Sequence, residues 1–227
     1  MEAKSNVSQN SVVLTPGVGS SYGNGWGKLW KYFLELFLIV IICVIIGSPS
    51  WLLEQTTDGV NTGDVFLSII FLAYGLLLVG PIGYGVSFAY LKAARADKPE
   101  IKDIFAAFSN YWNAVLANVL VGAIVVVGLA LLIIPGIIFA CKLAFTPYLV
   151  VDRKMEVTEA VRESWRMTNG HAWTVFLIGL LAIPIAIAGL ICFGVGFIVA
   201  VMWISLALAS LYHAVSLTGA ASRQEVV

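Results

Sequence analysis

Long, continuous apolar runs separate the few charged residues of this chain. Hydrophobic residues make up 60% of its 227 residues and charged residues only 11%, with a mean hydropathy of +0.94. Soluble domains carry about 25% charged residues. A segment inside lipid must satisfy its own backbone hydrogen bonds, and these runs far exceed the ~10 residues of a barrel strand. The sequence therefore predicts an all-α, polytopic integral membrane protein.

Six of these runs are long enough to cross a bilayer as helices. They cover residues 30–46, 65–94, 112–134, 137–151, 172–189 and 197–213. The second run exceeds what a hydrocarbon core of about 30 Å requires, and Gly80-Pro81 near its middle predicts a kink. A division into two spans at Pro81 is the alternative, but it would move Lys92 and Lys102 to the opposite side of the membrane.

Basic residues are confined to one side of this topology. Twelve of the thirteen Lys and Arg residues fall on the same side, and the three connections on the other side carry none. Because basic residues near span ends stay in the cytosol, that side is predicted to be cytoplasmic. We expect residues 1–27 to form a flexible cytoplasmic tail, residues 28–216 the six-span membrane domain and residues 217–227 a second cytoplasmic tail. The zero formal net charge gives no basic surplus for nucleic-acid binding.

Two segments on the basic side have the pattern of amphipathic helices. In each segment one helix face carries mainly apolar side chains and the other faces carry charged ones. In residues 98–108 that face holds Ile101, Ile104, Phe105 and Phe108, and in residues 156–169 it holds Val157, Ala160, Val161, Ser164, Trp165 and Thr168. We predict two cytoplasmic helices on the membrane surface. Packing of the first against other cytoplasmic loops is the alternative. The side chains predicted to make contacts from these helices are Phe105, Phe108, Trp165 and Arg166.

The two predicted surface helices resemble each other in sequence. With one gap, the aligned pairs are Glu100 with Glu156, Ile101 with Val157 and Asp103 with Glu159. Each segment follows one span and leads into the next, which indicates a repeated unit of span, surface helix and span. Such a duplication predicts a pseudosymmetric bundle of parallel repeats. A shared amphipathic pattern without duplication is the alternative.

Three further runs occur in order along the chain: LIIPGII (132–138), PYLVVD (147–152) and EAVRESWRMTNGH (159–171). They resemble the core of a bacterial six-span membrane family related to the membrane domain of glycerophosphoryl diester phosphodiesterases, together with its uncharacterised relatives. The resemblance covers residues 98–213. It implies a six-helix fold in a bacterial plasma membrane. It does not imply phosphodiesterase activity, because in that family the hydrolase is a separate soluble domain.

Three polar residues inside the predicted spans are candidates for a polar, lipid or anion site. Lys142 lies about 10 Å deep by helical rise, where a charge costs about 2.5–3.5 kcal/mol. It either binds an anionic headgroup or substrate, or is a structural cation paired with a carbonyl or an acidic group. Glu35 follows Lys31 by four residues, which favours an intrahelical pair, with a proton-carrying carboxylate as the alternative. Asn118 is predicted to make an interhelical hydrogen bond.

The sequence favours no catalytic activity. It contains no H-E-x-x-H, Walker A or G-x-G-x-x-G pattern, and His171 and His213 lack the nearby acidic or thiol residues of a metal site, so no cofactor is expected. We predict a non-catalytic membrane protein that organises lipid or a protein partner at the cytoplasmic face. Membrane lipids are the first partner class, and a membrane or cytoplasmic protein is the second. A transporter or lipid flippase with a path near Lys142 is the alternative, and an unfamiliar intramembrane enzyme is the third hypothesis.

Overall fold

The computed structural model describes residues 15–54, 62–191 and 195–224. These ranges are helical almost throughout and contain no strand, which confirms the predicted all-α class. Their α-helices are α1 (Val18–Lys31), α2 (Phe33–Glu54), α3 (Thr62–Tyr74), α4 (Gly80–Ala94), α5 (Tyr111–Leu131), α6 (Ile133–Leu143), α7 (Thr146–Asp152), α8 (Val157–Thr168), α9 (Ala172–Ile191) and α10 (Val195–Gln224). A π-helical segment, Gly75–Val79, joins α3 to α4, and a 3₁₀ helix, Ile101–Asn110, leads into α5.

Five helical stretches of the described ranges are long and apolar enough to cross a membrane. They are Val65–Ala94, Ile101–Leu131, Ile133–Asp152, Ala172–Ile191 and Gly196–Gly219. The two shortest have 20 residues each, about 30 Å of helix, which matches the hydrocarbon core. A sixth is counted if α1 and the first part of α2 form one span, although they meet at an angle of 92°. The membrane class is therefore supported with five to six spans.

The first predicted boundary differs from the structure because residues 18–27 belong to α1 and not to a flexible tail. Glycine is abundant in α1 and disfavours a helix in isolation, so tertiary contacts must stabilise it. Trp203 Nε1 of α10 donates a hydrogen bond to the Tyr22 carbonyl (3.0 Å), and the Tyr22 hydroxyl donates to the Ile178 carbonyl of α9 (2.9 Å). A Cβ on Gly25 would lie only 3.2 Å from a backbone nitrogen of α10, so glycine permits this close crossing.

The helix from α3 to α4 continues through Pro81, as predicted, and its irregularity is the π-helical turn just before the proline. Proline has no amide proton, so Pro81 cannot donate to the carbonyl of residue 77. The Tyr111 hydroxyl of α5 donates to that Leu77 carbonyl at 2.9 Å. A side chain from the next span therefore satisfies the group that the proline leaves unpaired.

The turn between α5 and α6 lies at Leu132, three residues before the gap that the predicted spans leave at residues 135–136. Leu132 has an extended backbone (φ −161°, ψ 143°), and Pro135 falls in the first turn of α6, where a missing amide proton costs nothing. Gly136 instead packs against α5: a Cβ on Gly128 would lie 3.0 Å from its Cα. The predicted spans 112–134 and 137–151 therefore shift to Tyr111–Leu131 and Ile133–Asp152.

Packing is dense at one end of the bundle and sparse at the other. Leu91, Leu149 and Tyr212 are among the enclosed side chains near the ends of α4 and α7 and in α10. We call this region, with residues 92–103 and 152–166, the charged end. The hairpin end holds the α5–α6 turn and the approach of α9 to α10. Its apolar side chains are exposed, as suits contact with lipid tails.

The structure gives equivalent positions to the residues aligned between the two predicted surface helices. Glu100 is the N-cap of the 3₁₀ helix and Glu156 is the N-cap of α8. The helices before them also end alike, with left-handed backbone at Ala96 (φ 68°) after α4 and at Lys154 (φ 52°) after α7. Both short helices therefore start at a glutamate that follows a left-handed residue, and the duplication itself stays a prediction.

Candidate functional site

Helix α8 docks against a break between α6 and α7. The break lies at Ala144 and Phe145 and is followed by Pro147, which cannot donate a backbone hydrogen bond. The buried Ser164 hydroxyl donates to the Lys142 carbonyl (2.9 Å) and accepts a hydrogen bond from the Phe145 amide (3.3 Å). Ser164 therefore supplies polar partners to the backbone on both sides of the break.

The inward face of α8 is a line of three small residues one turn apart, Ala160, Ser164 and Thr168, all fully buried. The Thr168 hydroxyl contributes a second contact to the break, 3.2 Å from the Lys142 carbonyl. These three lie on the face predicted from the sequence. Trp165 was predicted on the same face but is 39% exposed, at the edge of the buried line.

Lys142 leaves α6 toward α8 and not toward the centre of the bundle. Its Nζ donates a hydrogen bond to Asn169 Oδ1 and lies 5.5 Å from the centroid of the Trp165 ring. A cation over an indole face is attracted by the ring quadrupole. The Lys142 ammonium, which the sequence places within an apolar run, is thus stabilised by an amide oxygen and an aromatic ring.

Arg166 projects from the exposed side of α8 and binds Glu163, one turn earlier. Its Nη2 and Nε lie 2.6 and 2.8 Å from the two carboxylate oxygens, the geometry of a bidentate i,i+3 pair. Hydrogen bonding to Glu163 raises the pKa of Arg166 above its usual value. Arg153 approaches the same carboxylate at 3.7 Å. Two guanidinium groups therefore share one acid at this surface.

Cavities lie on both sides of α8. A groove of about 550 Å³ separates it from α5 and is lined by Leu120, Thr158, Val161, Arg162, Trp165, Arg166 and Asn169. Two adjoining pockets of about 240 and 260 Å³ lie between α8 and α10. Arg153 and Glu163 line the first pocket, and His171 and Thr218 line the second. Arg166 belongs to the walls of all three cavities.

The first predicted surface helix is a 3₁₀ helix, and its period of three changes which side chains face inward. Ile104 and Ala107, three residues apart, are fully buried, whereas Phe105 and Phe108 are exposed. The α-helical pattern had placed Ile104, Phe105 and Phe108 on one face, and this prediction is wrong. The two exposed phenylalanine rings and the half-buried Tyr111 instead form an aromatic row, with centroids 6.0 and 5.5 Å apart.

An ion pair and a close backbone approach hold the 3₁₀ helix against α4. Lys92 Nζ lies 2.9 and 3.1 Å from the two carboxylate oxygens of the buried Asp103. Asp103 also accepts a hydrogen bond from the Glu100 amide (2.8 Å), in a capping box. A Cβ on Gly85 would overlap the Ile104 carbonyl, so only glycine allows the two backbones to meet there.

A third charged contact joins the ends of α4 and α7. Arg95 and Asp152 form a bidentate pair at 2.6 and 2.8 Å, and the Tyr212 hydroxyl of α10 donates to the same carboxylate at 3.2 Å. Burial opposes the charge of Arg95, but the hydrogen bonds and charge of Asp152 outweigh it and raise its pKa. Sequence reasoning missed this contact. The one sequence feature that could have indicated it is a single acidic residue, Asp152, directly after a buried apolar run.

Of the other two predicted span residues, Glu35 has a partner other than the expected one, and Asn118 lies against a neighbouring helix. Glu35 pairs with Lys98 at 3.4 Å, and the predicted pair with Lys31 is wrong because the chain bends between them at Tyr32. The Asn118 amide lies against Gly80, where a Cβ would collide with it. Neither residue is near Lys142 in these contacts, so the three candidates do not form one site.

The described residues contain neither an exposed hydrolase-type serine turn nor a cluster of metal ligands. Residues 19–23, GSSYG, match the G-x-S-x-G pattern of hydrolases, in which the serine sits on an exposed strand-to-helix turn. Here the pattern lies inside α1, and Ser21 is buried. No group of three potential metal ligands occurs in the described part of the chain.

Comparison with known proteins gives one family match. Residues 118–218 match the model of a family described as a protein of unknown function, DUF975. The match covers less than half of the chain, but it includes α8, the break before it and most of α10. No curated protein and no solved structure matches the chain. The description of the matched family does not mention the phosphodiesterase-related membrane proteins, so that resemblance stays a prediction.

Proposed function

We propose that the protein is a six-span, non-catalytic protein of the bacterial plasma membrane that organises anionic lipid at the cytoplasmic face. The sixth span in this proposal is the bent pair of α1 and α2. The charged end and both termini lie in the cytosol, because Lys and Arg residues near span ends are retained there during insertion. The resemblance to the phosphodiesterase-related membrane family supports the same span count.

One observation carries the proposal: basic side chains surround an apolar groove on α8. Arg162 and Arg166 line the groove together with Trp165, and Lys142 lies over the Trp165 ring. Basic residues near an anionic membrane surface each contribute about 1 kcal/mol of attraction. Indole rings favour the headgroup region, where one edge is polar and the rest is apolar. The arrangement therefore suits contact with anionic lipid.

The same contacts favour this role over the alternative of a transport path. A solute path through the bundle would use an intramembrane charge that faces its interior. The Lys142 ammonium is directed to Asn169 and Trp165 at the side of α8. The aromatic row from Phe105 to Tyr111 gives the charged end a second surface for lipid contact.

The topology is tested by placing single cysteines at Asp58 and Lys154 in a variant without native cysteines. Asp58 follows α2 in the sequence and lies outside the described residues. In intact cells an impermeant maleimide should label Asp58→Cys and leave Lys154→Cys unlabelled until the membrane is opened. The opposite pattern would invert the orientation and remove the cytoplasmic assignment.

The lipid role is tested with vesicles of phosphatidylcholine that contain a small fraction of self-quenching, labelled phosphatidylglycerol. Reconstituted protein should gather the anionic label and increase its quenching, and added salt should weaken the effect by screening. Labelled phosphatidylcholine is the control lipid. Replacing Arg162 and Arg166 by Gln should reduce the quenching more than replacing Lys98 and Lys102. Equal behaviour of the two labelled lipids would contradict the proposal.

A further inference from the structure

We propose that α8 is the common wall of a two-part site for one anionic amphiphile with a phosphate headgroup. The acyl chain lies in the groove between α8 and α5, and the phosphate lies in the pockets between α8 and α10. The inference deepens the proposed lipid role, because it assigns one retained molecule to one place. It is also supported independently by the shapes and linings of the three cavities around α8.

The groove has the lining that an acyl chain requires. Leu120 of α5 and Val161 and Trp165 of α8 provide its apolar walls. Its volume of about 550 Å³ is within the range of ~300–1,000 Å³ for ligand sites. The inward face of α8 is occupied by the contact with the α6–α7 break, so the groove is a separate surface at the side of the helix.

The pockets on the other side have the lining that an anion requires. Arg153 and Arg166 contribute guanidinium groups, and His171 and Thr218 contribute further polar groups. Guanidinium groups bind phosphate through paired hydrogen bonds. Glu163 neutralises one of the two arginines. The second arginine leaves a positive surplus at the pockets, and the Lys142 ammonium lies next to them on Asn169.

The two halves meet at residues that they share. Arg166 and Asn169 line both the groove and the second pocket. An amphiphile lying across this point would place its charged group beside Arg166 while its chain runs past Trp165. A free phosphate would use only the pocket. The apolar groove directly behind the same wall therefore favours a lipid over a soluble anion.

Native mass spectrometry of the purified full chain, after delipidation in a neutral detergent, tests the site. Phosphatidylglycerol should be retained roughly tenfold better than phosphatidylcholine, and Arg166→Gln should remove most of this preference. Lys102→Gln is the matched control, because Lys102 is an exposed cation on the 3₁₀ helix, far along the chain from α8. Equal losses for the two variants would overturn the proposal by showing unspecific attraction.

The chain-binding half is tested by Val161→Phe, which should fill the groove and reduce retention without removing a charge. A series of lysophosphatidylglycerols with shorter acyl chains avoids dependence on the folding of that variant, and retention should fall with chain length. If glycerol phosphate competes as well as the full lipid and chain length has no effect, the pocket binds a soluble anion and the amphiphile proposal fails.

The outcomes also separate this site from the proposed lipid role. Retention of one phosphatidylglycerol that depends on Arg166, with no gathering of labelled lipid in vesicles, would keep the site and reject the role. Gathering of labelled lipid with equal retention in wild type and Arg166→Gln would keep the role and reject the site.

Discussion

The 3₁₀ helix and α8 each begin at a glutamate N-cap and lead into a span, but different forces hold them. Backbone meets backbone where the 3₁₀ helix crosses α4 at Gly85, and the Lys92–Asp103 pair closes the contact. Helix α8 is held by hydroxyl groups, chiefly Ser164, at the broken span. The contact of the 3₁₀ helix therefore requires that Gly85 has no side chain, whereas the contact of α8 requires the side chain of Ser164.

This difference explains why the candidate site lies on α8. A direct backbone contact leaves no room at the 3₁₀ helix, and the side chains that remain outside are the aromatic row. Docking through small residues uses only one narrow face of α8. Its flanks stay open, with Trp165 on one side and Arg166 in the walls of the cavities.

The largest effect should come from Gly85→Ala. Its Cβ would overlap the Ile104 carbonyl, and a backbone atom of a docked helix has no alternative rotamer. We expect a loss of about 3 kcal/mol or more in the free energy of unfolding, the upper part of the range for overpacking. Thermal unfolding in detergent measures it. Gly83→Ala is the control, since its Cβ would meet nothing within 4 Å; equal effects would show that the close approach does not hold the 3₁₀ helix.

Asp103→Asn should have the next largest effect, a loss of about 2 kcal/mol in the free energy of unfolding. The substitution replaces a charged acceptor by a neutral amide at a side chain that is only 7% exposed. A double-mutant cycle with Lys92→Met isolates the pair. A coupling energy near zero would mean that the capping bond to the Glu100 amide, and not the ion pair, accounts for the loss.

Ser164→Ala should cost about 1–2 kcal/mol, since it leaves the Phe145 amide and the Lys142 carbonyl with fewer partners in a buried place. The Thr168 hydroxyl beside the same carbonyl limits the loss. Ser109→Ala is the matched control on the 3₁₀ helix, because that hydroxyl is exposed and bonds only within its own turn. Similar unfolding temperatures for the two variants would refute the role of Ser164 as the anchor of α8.

Arg166→Gln should have the smallest effect on stability, below about 0.5 kcal/mol. The Arg166 side chain is 57% exposed, and ion pairs of exposed arginines contribute little. Arg153 also stays beside the Glu163 carboxylate in the variant. An unchanged unfolding temperature together with altered lipid retention would separate binding from folding at α8. A large loss of stability would instead make Arg166 part of the packing.

Sequence reasoning succeeded where length and composition decide the outcome. The apolar runs predicted the spans because an element that crosses lipid must be long, helical and uncharged. The bend at Tyr32 was not predicted, because it depends on the docking of α1 against α10. The contacting residues Tyr22 and Trp203 are 181 residues apart in the chain, and no local sequence pattern indicates such a contact.

Within the candidate site, the sequence identified Lys142, Trp165 and Arg166 by type and position. It could not identify Asn169 as the partner of Lys142, because the approach of α8 to α6 is a tertiary event. For the 3₁₀ helix, Phe105 and Phe108 were selected for a period of 3.6, and the actual period of three turned them outward. The spacing of apolar residues in this short segment does not distinguish a 3₁₀ helix from an α-helix.

The docking of α1 has a consequence for biosynthesis. The Tyr22 carbonyl receives its hydrogen bond from Trp203, 181 residues later. At about 5–20 residues per second, a ribosome needs roughly 10–40 s to make that stretch. Throughout this time the newly made α1 lacks its α10 partner, so this contact of the bundle closes only after α10 has been made. A chain cut short before α10 would carry an incompletely docked first helix, which quality-control proteases can recognise.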